Sequence, residues 1–202
     1  MNTIITIGRQ FGSGGKEIGK GLAEALGIPF YDEEIVKMVA ESGDMHPDTV
    51  KEAEEKVANS LLYSLMTGGG LRGVSEAMSY QMPVNDKVFI SQSKTIKALA
   101  KKGPCVIVGR CADYILEDED IFRVFVYADM KSKIKRIAKL HNLDEQKAKE
   151  KIIKTEKTRK TYYNYYTDKV WGDMASYDLC INTGKVSIEQ AIEVIKGAVL
   201  EG

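Results

Sequence analysis

Apolar residues along the chain follow two alternating patterns. Short unbroken runs of β-branched and aliphatic residues are separated by longer stretches in which apolar positions recur every three or four residues. The first run, Ile4-Ile5-Thr6-Ile7, ends at Gly8 and reads as a strand buried on both faces. Ile18, Leu22, Ala23 and Leu26 then mark a helix, with Gly27 as its C′ residue and Pro29 just beyond. Ile28-Pro29-Phe30-Tyr31 predicts a second strand with Asp32 at its carboxyl end. Ile35, Val36, Val39 and Ala40 predict a helix closed by Gly43. Val50, Ala53, Val57, Leu61 and Leu65 predict a long amphipathic helix from about Asp48 to Gly68-Gly69-Gly70. Leu71 to Val84 has no clear period and is expected to be a mobile connection.

The second half repeats the alternation. A helix from about Asp86 to Lys101 stops at Gly103-Pro104, and Cys105-Val106-Ile107-Val108 is a buried strand ending at Gly109-Arg110. Phe122 to Tyr127 is a further strand, followed by a helix carrying Ile134, Ile137 and Ala138. Asp144 can N-cap a long basic helix that runs into Tyr162–Tyr166. Leu179-Cys180-Ile181 is a last short strand, and Ser187 with Gln190 forms an S-x-x-Q capping box before a helix with Ala191, Ile192, Ile195 and Val199. Strands separated by helical patterns imply right-handed βαβ units, a parallel sheet and an α/β fold.

Composition narrows the class without changing the fold. The 202 residues suit one compact domain, and no run approaches the roughly eighteen apolar residues that span a bilayer. The opening residues lack the basic n-region and cleavage site of an export signal. Cys105, Cys111 and Cys180 form no CxxC pair, which argues against a zinc site or disulfide framework and points to a reducing cytoplasm. Formal net charge is zero, yet residues 32–56 hold nine acidic side chains against three basic, and residues 131–160 hold twelve basic against four acidic. One basic district on a neutral chain suits a localised anion better than a long nucleic-acid track; solvated helix faces would produce the same counts.

The chemistry concentrates between the first strand and first helix. Gly12-Ser13-Gly14-Gly15-Lys16 lies in the strand–turn–helix context of a phosphate-binding loop. Glycines let successive N–H groups face the phosphates, the helix N-terminus adds partial positive charge, and Lys16 supplies a point cation. Gly12, Ser13, Gly14, Gly15, Lys16, Glu17 and Ile18 are the nucleotide-binding candidates. Against G-x-x-x-x-G-K-[ST], Gln10 stands where the first glycine belongs, and Glu17 where a Ser or Thr would ligate Mg²⁺. A carboxylate can bind Mg²⁺ instead. The metal ligands stay unassigned.

From Ile7 to Gly19, at Phe30-Tyr31-Asp32, at Val106–Arg110 and at Ser187–Glu193, the chain resembles the cytidylate kinase-like family. The resemblance implies a three-layer P-loop NTPase fold with a central parallel sheet, a helical acceptor-side region at about 41–90 and a helical lid at about 141–175, all in one domain. It implies ATP as phosphoryl donor, Mg²⁺, and a small acceptor such as CMP or dCMP. It assigns the acceptor phosphate to Arg110, whose fork of donors suits a phosphate. The alternative for Arg110 is a structural pair with an acid such as Asp113. Lys37 lies near where cytidylate kinases carry another phosphate-binding arginine. Arg136 and Arg159 fall where lid arginines stabilise charge on the transferring group, so Lys16, Arg110, Arg136 and Arg159 form the catalytic set. Where cytidylate kinases carry an acid on each side of the Gly-Arg pair, this chain has Val108 and Cys111.

Asp32 faces the same crevice as an acceptor-binding candidate. It can accept hydrogen bonds from a sugar, position a metal-bound water, or simply N-cap the next helix. Residues 151–171 mix basic side chains with Tyr162, Tyr163, Tyr165, Tyr166 and Trp171. That composition also fits a stacking surface for single-stranded nucleic acid, which is disfavoured against a lid, or an interaction helix. Three functional classes stay open: a nucleoside monophosphate kinase, a kinase acting on another small acceptor such as a sugar or polyol, and a nucleotide-binding regulatory module with little turnover. No membrane partner is expected.

Overall fold

A computed structural model of the protein describes residues 3–42, 46–50 and 84–201. Five parallel strands, β1 (Ile4–Arg9), β2 (Phe30–Tyr31), β3 (Val106–Val108), β4 (Ile121–Tyr127) and β5 (Leu179–Asn182), form one sheet in the order β2-β3-β1-β4-β5. Among the described residues the helices that pack around it include α1 (Gly15–Leu26), α2 (Glu33–Ser42), α3 (Val84–Ala100), α4 (Ala112–Ile115), α5 (Met130–His141), α6 (Glu145–Tyr166) and α7 (Ile188–Glu201). The chain leaves β1 toward one edge and returns to its other side for β4. A crevice therefore opens above the carboxyl end of β1, the switch point at which open α/β sheets bind ligands.

Period-two alternation divides the strands between two cores. Ile5, Ile7, Val106, Val108, Val124 and Val126 face Ile18 and Leu22 of α1 and Ala191 and Ile195 of α7. Ile4, Ile107 and Ile121 face α2, α3 and α4 on the opposite side. With helices on both faces, every strand is wrapped in apolar packing, which is why the strands read as unbroken hydrophobic runs. A third, small cluster of Ile137, Ala148 and Ile152 joins α5 to α6, with Phe11 of the glycine-rich loop packed against it.

The local stop signals act as expected. Gly27 caps α1 in the left-handed conformation, Asp144 accepts from the Lys147 N–H at 2.8 Å, and Ser187 and Gln190 satisfy each other's N–H groups. β2 begins two residues later than expected, because Pro29 has no N–H to pair; its carbonyl still accepts from the Val106 N–H at 2.9 Å. The single turn of α4 has no sequence periodicity and was not anticipated. The proposed long helix from Asp48, and the connection from Leu71 to Val84, lie almost wholly outside the described residues; residues 47–50 are helical and α3 starts at Val84.

The tyrosine-rich end of α6 belongs to the main body. Tyr162 and Tyr163 are 8% and 5% exposed within the core that holds α3 and α4. The Tyr162 hydroxyl donates to Gln92 Oε1 at 2.9 Å, Tyr163 to Asp113 at 2.7 Å and Tyr166 to Asp86 at 3.0 Å. Tyr166 also stacks on Phe89, with ring centroids 4.1 Å apart, and Trp171 packs edge-on against Phe125. Rings used in this way cannot form a row of solvent-facing stacking platforms. Among the described residues, no helix is long and apolar enough to cross a membrane.

Gln92 is fully buried, and the Tyr162 hydroxyl bond to it lies in the core, away from water. Tyr162→Phe is expected to lower stability by about 1–3 kcal/mol in urea unfolding. Tyr165→Phe, at a half-exposed ring, should change it by less than about 0.5 kcal/mol.

Candidate active site

The glycine-rich loop runs from the end of β1 to the start of α1 and is held by its carbonyls. Arg159 Nη1 of α6 donates to the Arg9 carbonyl at 3.2 Å, and Arg136 Nη1 of α5 donates to the Gly12 carbonyl at 3.0 Å. Ser13 Oγ donates to the Gln10 carbonyl at 2.9 Å, and Thr183 Oγ1, just past β5, donates to the Ser13 carbonyl at 2.6 Å. Gly14, at φ 82°, makes the left-handed turn into α1, and a Cβ there would press on Ile188 and the Arg136 guanidinium. The N–H groups of Gly15, Lys16 and Glu17 open the helix, where backbone donors lack intrahelical partners. The result is a backbone cradle at a helix N-terminus, of the kind that can form an anion nest.

Sequence position alone did not reveal the side chains that hold this nest. Gln10 Oε1 accepts from the Ala128 N–H at 3.3 Å and from Lys133 Nζ at 3.2 Å, and Lys133 also pairs with Glu156 at 2.8 Å. Arg9, Gln10, Lys133, Glu156 and Thr183 are the residues missed. Lys133 alone left a trace in the sequence: a lysine four residues before Ile137, on the apolar face of α5. Burial, with the like charge of Arg9 next, pushes the Arg159 pKa down to about 9, which leaves the guanidinium charged at neutral pH. Its Cζ lies 5.4 Å above the Phe11 ring.

Across the crevice Asp32 gathers cations. Its side chain is 8% exposed and lies 3.1 Å from Arg110 Nη1, 3.2 Å from Lys16 Nζ and 3.8 Å from Arg9 Nη2. Burial opposes ionisation here, but Arg9, Arg110 and Lys16 together outweigh it and hold the carboxyl below its ordinary value. Lys16 pairs with Glu33 at 2.6 Å; that hydrogen bond, foremost, raises the ammonium pKa. The acid that meets Arg110 is thus Asp32 rather than Asp113, which instead accepts from Tyr163. The Asp32 carboxylate serves the cations, and the arrangement brings together Lys16, Asp32 and Arg110 from three different elements.

Gly109, Arg110 and Cys111 are consecutive residues with φ of 77°, 55° and 53°. Such left-handed geometry costs a non-glycine residue about 1–2 kcal/mol, and it aims Arg110 back into the crevice. A Cβ on Gly109 would collide with the Arg9 guanidinium. Val108 and Cys111, which flank the Gly-Arg pair, are 0% and 4% exposed and packed in the two cores. Lys37 is exposed on α2, outside the Asp32 cluster, and the Ile18 side chain is buried under the sheet, so only its backbone borders the loop. Glu17 is exposed in the first turn of α1. Among the described residues, no three His, Cys, Asp or Glu side chains converge as a metal cluster.

The parallel sheet, its strand order and the loop at the switch point define a P-loop kinase fold. The sequence pattern of the cytidylate kinase-like family matches residues 4–185, and the chain belongs to that family. A cytidylate kinase of Staphylothermus marinus is 32% identical over 127 residues, 62% of this chain and 71% of the relative. Another from Thermoplasma acidophilum is 25% identical over 89% of this chain and 82% of its own length. The chain spans about half of others, such as the cytidylate kinase of Pyrococcus horikoshii at 52%. Among solved structures, an uncharacterized protein from Eubacterium ventriosum is 31% identical, with a TM-score of 0.71 and 99% coverage of both chains. A shikimate kinase from Bacteroides thetaiotaomicron shares the fold at a TM-score of 0.55, 16% identity and full coverage of both chains. Family membership supports a phosphotransferase.

Asp32→Asn leaves Arg9, Lys16 and Arg110 without their shared counter-charge and should cost about 3 kcal/mol at neutral pH. The native carboxyl titrates below its ordinary value, so its contribution is present above the unfolded-state pKa of about 3.9. That contribution is lost as pH falls through the lower native value. Urea unfolding of both proteins between pH 7 and pH 3 should therefore converge toward the acid end. A constant gap would mean that Asp32 does not act as an ionised partner.

Proposed function

We propose that the protein transfers the γ-phosphoryl group of ATP to a nucleoside monophosphate, with CMP and dCMP the first candidates. The observation that carries this reading is the carbonyl-held loop of residues 9–16, facing Arg110 across the switch-point crevice. The loop N–H groups and Lys16 bind the β- and γ-phosphates, exchanging the Glu33 and Asp32 contacts of Lys16 for phosphate oxygens. Arg110 exchanges part of its Asp32 contact for the acceptor phosphate. An acceptor phosphate oxygen then attacks the γ-phosphorus in line as the bond to ADP breaks, and no covalent enzyme intermediate forms. Positioning and neutralisation of spread negative charge supply the catalysis. Arg136 and Arg159 donate to loop carbonyls in this structure, and they would exchange those bonds for phosphate oxygens in order to act on the transferring group as the lid side of a single domain. Mg²⁺ would be held chiefly by triphosphate oxygens and water, with the exposed Glu17 carboxylate as a candidate protein ligand, and would neutralise phosphate charge. Three free cysteines, two of them buried, accord with work in a reducing cytoplasm.

The buried Asp32 favours a second reading. A carboxylate between Arg9 and Arg110 is a hydrogen-bond acceptor placed where an acceptor hydroxyl would need one, so a polyol or sugar acceptor has a specific feature behind it. A regulatory module would bind ATP without turning it over. ATP consumption screened across nucleoside monophosphates, sugars and polyols separates all three.

Lys16→Ala should weaken ATP binding at least about tenfold in calorimetry, the value of one charged hydrogen bond, while the fold persists. Unchanged affinity would remove the donor-site assignment. Arg110→Met should raise the acceptor KM or lower kcat by more than about tenfold with ATP affinity nearly unchanged. Equal damage to ATP binding would move Arg110 to the donor side.

A further inference from the structure

Lys133 is 4% exposed, a burial lysine rarely accepts without a partner. It lies on the same face of α5 as Ile137, in a position where a leucine or methionine would fill the space without any desolvation cost. Replacing a buried ion pair by apolar residues of similar volume is often neutral or stabilising, so the Lys133–Glu156 pair is not explained by stability. What it adds is direction. Nζ reaches past Glu156 to Gln10 Oε1, and Gln10 is part of the phosphate loop.

The neighbours repeat that direction. Lys133 and Arg136 are three residues apart on α5, and Glu156 and Arg159 three apart on α6, so each pair shares a helix face. Together they engage four consecutive loop residues. Arg159 holds the Arg9 carbonyl, Lys133 the Gln10 side chain, and Arg136 the Gly12 carbonyl. The Phe11 ring between them packs against Ile137, Ala148 and Ile152 and lies under the Arg159 guanidinium. The loop and the α5–α6 hairpin are one packed unit.

We propose that Lys133 is a positioning residue for the phosphate loop: paired with Glu156 and bonded to Gln10, it makes the loop's anion-binding shape depend on the docked α5–α6 hairpin. Gln10 thereby takes over, through its side chain, the role of shaping the start of the loop. The proposal rests on reading the loop as the ATP site.

The test compares wild type, Lys133→Met, the double variant Lys133→Met/Glu156→Met, and Gln10→Ala, by thermal unfolding, calorimetry with MgATP, and hydrogen exchange of the ligand-free loop amides. Lys133→Met should melt lower and bind ATP at least about fivefold more weakly. The double variant should recover the melting temperature, because no unpaired, partly buried carboxylate is left, yet retain weakened ATP binding and faster exchange at Gly12–Glu17. Gln10→Ala should reproduce the weakened binding, and its melting temperature should also fall, because the buried Ala128 N–H loses its acceptor. Recovery of ATP affinity together with the melting temperature would overturn the proposal and leave a merely structural ion pair. If wild type binds MgATP and Gln10→Ala binds it equally well, the proposal also falls while the donor-site reading stands. If wild type does not bind ATP, the donor-site reading fails, and loop exchange alone decides: unchanged rates in the variants overturn the positioning role, and faster rates support it.

Discussion

A loop that presents its N–H groups to an anion must turn its carbonyls the other way, and those carbonyls then need donors of their own. Most of this molecule's tertiary structure around the crevice answers that need. The end of β5 delivers Thr183 to Ser13, α5 delivers Arg136 to Gly12, and α6 delivers Arg159 to Arg9. These donors come from residues more than a hundred positions away in the chain, so the nest is a product of the whole fold. If the loop binds a triphosphate as proposed, its preformed shape would leave little ordering to oppose binding.

Charge organises the opposite wall. Arg9, Lys16 and Arg110 would repel one another in a desolvated crevice, and Asp32 with Glu33 holds them at contact distance. In the proposed reaction Lys16 and Arg110 would exchange these carboxylate partners for phosphate oxygens. The left-handed backbone at Gly109–Cys111 keeps Arg110 in that wall, and the Arg9 guanidinium fills the space that a Cβ at Gly109 would need. Backbone strain of this kind is a recurrent feature of functional sites.

The departures from the cytidylate kinase pattern have a packing explanation. Val108 and Cys111 flank the Gly-Arg pair from inside the two cores, where a carboxylate would be buried among apolar side chains and heavily penalised. Among the described residues, the acid that reaches Arg110 is Asp32, just past β2. The arginine is thus countered from the neighbouring edge of the sheet.

Local patterns in the sequence were enough to locate nearly every described strand and helix, the capping residues Gly27, Asp144 and Ser187, and the glycine-rich loop between β1 and α1. These are short-range signals: apolar periodicity, turn chemistry, and a glycine cluster between strand and helix. Which residues meet was another matter. Asp32 rather than Asp113 opposes Arg110, Lys133 is buried beneath Gln10, and Tyr162 and Tyr163 enter the main core instead of facing solvent. Each of those outcomes depends on the 2-3-1-4-5 strand order and on how α6 docks, so side chains 70 to 150 positions apart become neighbours. A charged or aromatic side chain reads the same in sequence whether it ends in water or beneath a helix; only the packing around it decides which.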